Sequence, residues 1–160
     1  MLDSMSSGLA VVVAIAAFCQ SAILGAGLVE AVSYVPNWRR PEALAAFRVF
    51  AHARHPGHFY PAAASITLLL LLIALGWSWA GGQVATAWLA ATAIASLAAT
   101  AGLTAVYFLP RNRMLFFAPL ETPPGERSRA MVRQWERANV IRLLLQVPGV
   151  AAIMLALVAA

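Results

Sequence analysis

The chain of 160 residues has no lysine and few charged residues of any kind. Charged residues make up 11% of the sequence and hydrophobic residues 62%, whereas soluble domains have about 25% charged and 45–50% apolar residues. Because a domain of this size cannot bury the apolar excess in its own core, we expect lipid as its solvent. Segments of alternating polarity about ten residues long are also missing, which argues against a transmembrane β-barrel.

Cysteine occurs once, at Cys19 inside the first apolar run, so no internal disulfide can form and the redox compartment stays open. The net charge of +5 comes from eleven arginines against six acidic residues. A basic protein can bind nucleic acid, but these arginines flank apolar runs instead of lining a soluble domain. We therefore expect the lipid bilayer as a partner, and no nucleic acid.

Four apolar runs predict membrane-spanning helices at about residues 8–34, 58–79, 84–108 and 138–160. The first run is too long for a signal peptide and has no positive segment before it. A short helix that begins at Pro41 is expected to lie at the membrane interface in the first loop. Pro110 is expected to end the third span, and the last helix to begin near Glu126. The predicted fold is all-α, a four-helix transmembrane bundle that forms one domain over residues 1–160.

Arginine is concentrated in two of the three predicted loops. The first loop has Arg39, Arg40, Arg48 and Arg54. The third has Arg111, Arg113, Arg127, Arg129, Arg133 and Arg137. The second loop and both termini have none. Since successive spans alternate in direction, loops one and three share a side. The positive-inside rule predicts that this side is cytoplasmic, with both termini outside an inner or plasma membrane.

Polar residues from all four spans fall near the arginine-rich end of the bundle. They are Glu30, His58, Tyr60, Tyr107, Asn112, Trp135, Asn139 and Arg142. A charged residue such as Glu30 within a span costs about 2.5–3.5 kcal/mol, so it should face the interior and have a partner. Arg142 lies at a matching depth and is the expected partner. This pair either locks two helices together or takes part in proton transfer or ligand binding.

Three histidines, His52, His55 and His58, suggest a metal site. The spacing places His52 and His55 near one helix face, but a Pro-Gly pair interrupts the helix before His58. The run HARHPGH matches no recognised metal motif. A site for iron, copper or zinc made by His58, Glu30 and His55 is therefore an alternative, and we expect no cofactor.

Four aromatic residues, Tyr34, Trp38, Tyr60 and Trp135, lie near the same end. They are either part of the interfacial aromatic belt or binding residues for a substrate, and for Trp38 the belt is favoured. Asn112 either caps the third helix or binds the substrate. Asn139 either forms a hydrogen bond between helices or binds the substrate.

The last helix reads WERANVIRLLLQVPG, which resembles the W-x3-N-x2-R signature of the anthrone oxygenase-like family of small four-helix membrane proteins. Many members are known only as a domain of unknown function. YFLPRNRML, HFYPAAA and GAGLVEAVSYVPNW resemble its third, second and first spans, so the likeness covers most of the chain. The likeness is specific in the last helix and moderate at Asn112. Fungal members often have Thr-Asn-Asn where this chain has Arg111-Asn112-Arg113.

The resemblance implies oxygenation of an anthrone to an anthraquinone, without a metal or flavin. Glu30 or His58 would be the base that removes the acidic carbon-bound proton. The developing oxyanion would be stabilised by Arg142, Asn139 and Asn112. Trp135 and Tyr60 would stack on the flat ring of a hydrophobic substrate.

Two other functions stay open on the sequence alone. One is a metal-dependent membrane enzyme that uses His58 and Glu30. The other is a non-catalytic membrane protein that binds a lipid-like ligand or a protein partner. Four short spans leave little room for an alternating-access transporter unless the chain forms a homo-oligomer.

Overall fold

The computed structural model describes residues 2–53 and 58–159, with side chains from Ser7 onward, and these residues contain helices but no strand. The helices are α1 (Leu2–Val29), α2 (Pro41–Ala53), α3 (Phe59–Ala80), α4 (Val84–Leu103), α5 (Leu109–Phe116) and α6 (Glu126–Ala159). The first π segment (Glu30–Tyr34) continues α1, and the second π segment (Thr104–Phe108) joins α4 to α5. A 3-10 turn at Asn37–Arg39 precedes α2.

Four helical stretches in the described ranges are long and apolar enough to cross a membrane. They run Ser7–Tyr34, Phe59–Ala80, Val84–Phe116 and Glu126–Ala159. Large apolar side chains cover their outer surface, with Phe18 74%, Leu69 59% and Val158 88% exposed. An apolar surface of this extent is stable in lipid and not in water. The predicted all-α, membrane-spanning bundle is therefore confirmed.

The four spans form a closed ring. α1 packs against α3 and α6, and α4 packs against the same two helices on the other side. Small residues such as Ala16, Ala74, Ala90 and Ala156 are fully buried where the helices meet. Small side chains let helix backbones approach closely, which is the usual basis of helix packing in membranes.

The arginine-rich end of the bundle, called the charged end below, comprises residues 30–53, 58–60 and 104–142 of the described chain. The first loop packs on the third there, because Arg39 pairs with Glu136 and Arg48 donates to the carbonyl oxygen of Thr122. These contacts place loops one and three at the same end of the bundle, as the alternation of spans predicts.

The prediction that Pro110 ends the third span is wrong. The helix passes through the second π segment and continues to Phe116, with Pro110 in the first turn of α5. A proline is tolerated in the first turn of a helix, because the backbone N–H that it lacks has no acceptor within the helix there.

The predicted helix in the first loop is present as α2 and begins at Pro41. Leu44, Arg48 and Ala51 are buried against the bundle, whereas Val49 and Phe50 are 56% and 51% exposed. An exposed apolar strip on a helix outside the spans fits a position at the membrane interface. The expected break after α2 lies outside the described residues.

Candidate functional site

An ion pair between α6 and the first π segment lies at the centre of the charged end. The Arg142 Nη2 donates to Glu30 Oε2 at 2.7 Å, and the side chains are 8% and 21% exposed. The predicted pairing of Glu30 with Arg142 is thus confirmed. The pair connects the first span to the last.

Tyr60, at the start of α3, brings a third span to this pair. Its hydroxyl donates to the same Glu30 Oε2 at 3.3 Å. Both bonds end on one carboxylate oxygen, so Oε1 has no hydrogen-bond donor among the described residues. A free carboxylate oxygen next to a bound one can accept a proton from a ligand.

Aromatic rings surround the guanidinium of Arg142. Its central carbon lies 4.6 Å from the centroid of Phe108 and 5.6 Å from the centroids of Tyr60 and Trp135. Cation–π attraction of this kind is worth up to about 2 kcal/mol where water is excluded. The rings hold the arginine in place and make one wall of the site apolar.

Two neighbouring polar groups at the site have no partner within the described chain. Asn139 is 1% exposed, and neither its Oδ1 nor its Nδ2 forms a hydrogen bond. Arg142, one turn later, leaves its Nε without an acceptor. A buried polar group without a partner costs about 1–3 kcal/mol. Hydrogen bonds of such groups are usually completed by a ligand or by ordered water.

Both π segments flank this site. Glu30 is the first residue of one, and Phe108, which lies against Arg142, is the last residue of the other. π-Helical turns are rare and occur frequently at functional sites. Their location supports a functional cluster more than a purely structural ion pair.

The structure buries Trp135 and Trp38 together and corrects the belt role favoured for Trp38. Both are buried, at 2% and 3% exposure, in an aromatic cluster at the charged end. Trp38 lies 4.7 Å from Phe47, 4.7 Å from Phe116 and 5.3 Å from Trp135, between ring centroids. Because the rings pack on one another, Trp38 is not a residue of the exposed aromatic belt. Stacking of either tryptophan on a ligand stays a prediction.

Asn112 positions Trp135 and does not cap the third helix. It lies within α5, and its Oδ1 accepts a hydrogen bond from Trp135 Nε1 at 2.7 Å. Tyr34 is 52% exposed in the first π segment and is a surface residue. The Asn112–Trp135 bond orients the tryptophan next to Arg142, and the oxyanion contact predicted for Asn112 stays a prediction.

The histidines occupy different environments. His58 is exposed directly before α3, and His52 shares a 2.8 Å hydrogen bond between its Nδ1 and the Arg48 carbonyl oxygen. Residues 54–57, which include His55, lie outside the described part of the chain. Within the described ranges, no three His, Cys, Asp or Glu residues group as a metal site. Metal binding by His58, Glu30 and His55 stays a prediction.

Polar groups continue from the ion pair along the inner face of α6. Four positions follow one another there at intervals of three or four residues: Asn139, Arg142, Gln146 and Gly149. The side chains of the first three are buried. The side chains of Gln20 and Ser96 meet at Gly149, and the Ser96 hydroxyl donates to the Leu145 carbonyl oxygen. The oxygen atoms of the Gln20 and Gln146 amides have no partner in the described chain. The polar interior thus reaches into the half of the bundle where the sequence showed only isolated polar residues.

Sequence reasoning missed the two π segments, the packing of Phe108 on Arg142 and the buried position of Arg48. One pattern offers a partial indication of the π segments, because each ends two residues before a proline, Pro36 or Pro110. The burial of Arg48 had no indication in the sequence. It depends on contacts with residues more than sixty positions away.

Comparison of the chain with models of known families, with curated proteins and with solved structures finds no match.

Proposed function

We propose that the protein is a membrane-embedded oxygenase for a hydrophobic aromatic ketone or quinol with an acidic C–H or O–H, of which an anthrone is the model substrate. The observation that carries the proposal is the unpartnered Nε of Arg142, the arginine that binds the Glu30 carboxylate, together with the unpartnered Asn139 amide one turn earlier on α6. A base and hydrogen-bond donors for an oxyanion are thereby available at the charged end. The resemblance of the last helix to the anthrone oxygenase-like family falls on Asn139 and Arg142 as well as on Trp135.

The chemistry begins with proton removal. Glu30 Oε1 takes a proton from the carbon next to the aromatic rings, and the negative charge moves onto the ketone oxygen. Asn139 Nδ2 and Arg142 Nε donate to that oxygen and stabilise it. The bonds that hold Oε2 keep the carboxylate oriented throughout.

Reaction with O2 completes the conversion. The carbanion transfers electrons to O2, and a new C–O bond forms a peroxide anion, which takes a proton back from Glu30. Loss of the second hydrogen of that carbon as a proton, with cleavage of the O–O bond, gives the quinone carbonyl and releases hydroxide. The proton and hydroxide form water, so each turnover consumes O2 and yields the quinone and water.

The test is oxygen uptake with a model anthrone by the purified protein in lipid nanodiscs. Glu30→Gln removes the base with little change in size and should lower the rate by about 100-fold or more. Asn139→Leu removes an oxyanion donor and should lower it by about 100-fold. Glu42→Gln changes an exposed acid of α2 by the same charge and should leave the rate unchanged.

Four outcomes contradict the proposal in different ways. A wild-type rate equal to the protein-free background would exclude the anthrone as substrate, and substrate retention without turnover would favour a non-catalytic binding protein. Equal rates for wild type and Glu30→Gln would exclude Glu30 as the base. A stoichiometric metal in the active preparation, with activity lost on its removal, would favour the metal-dependent enzyme.

We also propose that the charged end faces the cytoplasm and that both termini face outward. The support is the concentration of arginine in loops one and three and its absence from loop two. In a Cys19→Ala background, Thr122→Cys should react with a membrane-impermeant maleimide only in inverted vesicles. Gln83→Cys should react only in intact cells, and the reverse pattern would overturn the orientation.

A further inference from the structure

A pocket lies at the charged end, between α2 and the loop that precedes α6. Its volume is about 350 Å³. Most of its walls are apolar, formed by Ala45, Val49, Leu120 and Pro123 among others. Arg48 and Thr122 supply polar atoms, and the exposed Glu121 lies on the loop side. The pocket therefore combines apolar walls with a buried cationic group, and its acidic residue lies at the exposed surface.

Arg48 is a buried cation without an anionic partner. It is 3% exposed, and burial lowers the pKa of its guanidinium below the ordinary value. Its Nε donates to the Leu115 carbonyl oxygen at 2.6 Å and its Nη1 to that of Thr122 at 2.8 Å. No carboxylate pairs with it in the described chain, and its Nη2 has no acceptor there. A buried charge with neutral partners only is costly, and an anion at the free nitrogen would offset that cost.

The position of the pocket selects the kind of anion. Val49 lines the pocket and, like its neighbour Phe50, has more than half of its side chain exposed on α2. α2 lies outside the four spans and directly follows the first one. An amphipathic helix with an apolar exposed strip lies at the level where lipid head groups meet acyl chains. An anionic lipid that enters here finds apolar side chains against which its acyl chain can lie.

We propose that this pocket binds the head group of an anionic phospholipid. The lipid phosphate accepts hydrogen bonds from Arg48 Nη2. The part of the acyl chain nearest the head group lies along Val49 and Phe50. Guanidinium and phosphate form charge-assisted hydrogen bonds, which are stronger than neutral ones. The site is separate from the Glu30–Arg142 pair and does not depend on the proposed oxygenase activity.

Lipid retention measured by native mass spectrometry of the full-length protein tests the proposal, with phosphatidylglycerol and phosphatidylcholine at matched concentrations. The wild type should retain phosphatidylglycerol at least about tenfold more tightly, because the choline cation of phosphatidylcholine cancels the net negative charge that Arg48 attracts. Arg48→Met should remove most of this preference. Because Arg48 also holds the Leu115 and Thr122 carbonyls, Ala45→Phe provides a second variant that fills the pocket and leaves the arginine in place.

Arg40→Gln is the matched control, because Arg40 is an exposed arginine of the same loop. It should change phosphatidylglycerol retention by less than about twofold, as expected for a screened surface charge. Equal retention of the two lipids, an unchanged preference in Ala45→Phe, or an equal loss in Arg40→Gln would overturn the proposal. Stabilisation of the lipid-free protein by inorganic phosphate to the same extent would assign the pocket to a soluble anion instead.

Discussion

Replacing Glu30 by methionine should destabilise the protein more than replacing Arg142 by methionine. Glu30→Met leaves a guanidinium that is 8% exposed without its carboxylate, and arginine cannot lose its charge. Arg142→Met leaves a carboxylate that is 21% exposed and can become neutral by taking a proton. Removing one partner of a buried ion pair costs about 3–5 kcal/mol. We expect a cost near the upper end for Glu30→Met and near the lower end for Arg142→Met.

The double variant separates the pair from its surroundings. Its free energy of unfolding should fall by less than the sum of the single losses, with a coupling energy of about 2 kcal/mol. The Arg39–Glu136 pair is the control, since its contact of 2.6 Å is shorter but its side chains are 57% and 27% exposed. An exposed pair of this kind should give a coupling energy below about 1 kcal/mol.

The assay is reversible unfolding in mixed micelles of increasing denaturing detergent, followed by tryptophan fluorescence. A coupling energy for Glu30–Arg142 no larger than that for Arg39–Glu136 would refute the argument that burial, and not distance, sets the strength of the central pair. A larger loss in Arg142→Met than in Glu30→Met would refute the assignment of the greater burial cost to the arginine.

Two further predictions concern packing, and the same unfolding assay tests both. Trp38→Ala should lower the free energy of unfolding by about 3–5 kcal/mol, because it opens a cavity in the aromatic cluster. Trp88→Ala changes a side chain that is 65% exposed and should lower it by less than about 0.5 kcal/mol. Equal losses of stability would contradict a buried role for Trp38. Gly149→Ala should cost about 1–3 kcal/mol, because the new methyl group would overlap the Gln20 and Ser96 side chains. Gly102→Ala meets no atom within 4 Å and should cost nothing, and Gln20→Ala should recover part of the Gly149→Ala loss. Failure of that recovery would place the strain elsewhere.

Hydropathy and charge were enough to predict the bundle and the common end of loops one and three. Both depend on one-dimensional properties, since a run of about twenty apolar residues is stable only across a bilayer. The Glu30–Arg142 pair was also predictable, because a charged residue inside a span needs a partner and only one cation lies at a matching depth. The continuation of the third span past Pro110 was not, because it depends on a π turn that no residue in the sequence specifies by itself.

The tryptophans show where sequence reasoning ends. Trp38 and Trp135 lie at the depth of an interfacial belt, and depth alone does not distinguish an outward ring from an inward one. The packing of α2 and the 3-10 turn on α5 and α6 turns both rings inward and buries them. Their burial leaves Trp135 packed with Phe108 and Tyr60 around the Arg142 guanidinium, and Trp38 behind it in the aromatic cluster.

The amino-acid sequence by itself determined how many helices cross the membrane, which end carries the charge and which two charged residues must meet. These features follow from the free-energy cost of placing polar atoms in lipid. That cost depends on the residue itself and not on which residues pack against it. Only the tertiary structure decided which polar atoms remain without partners at Asn139 and Arg142, and that Arg48 is buried beside a pocket. Partners are supplied by residues distant in the chain, so whether a buried donor finds an acceptor depends on how the helices pack.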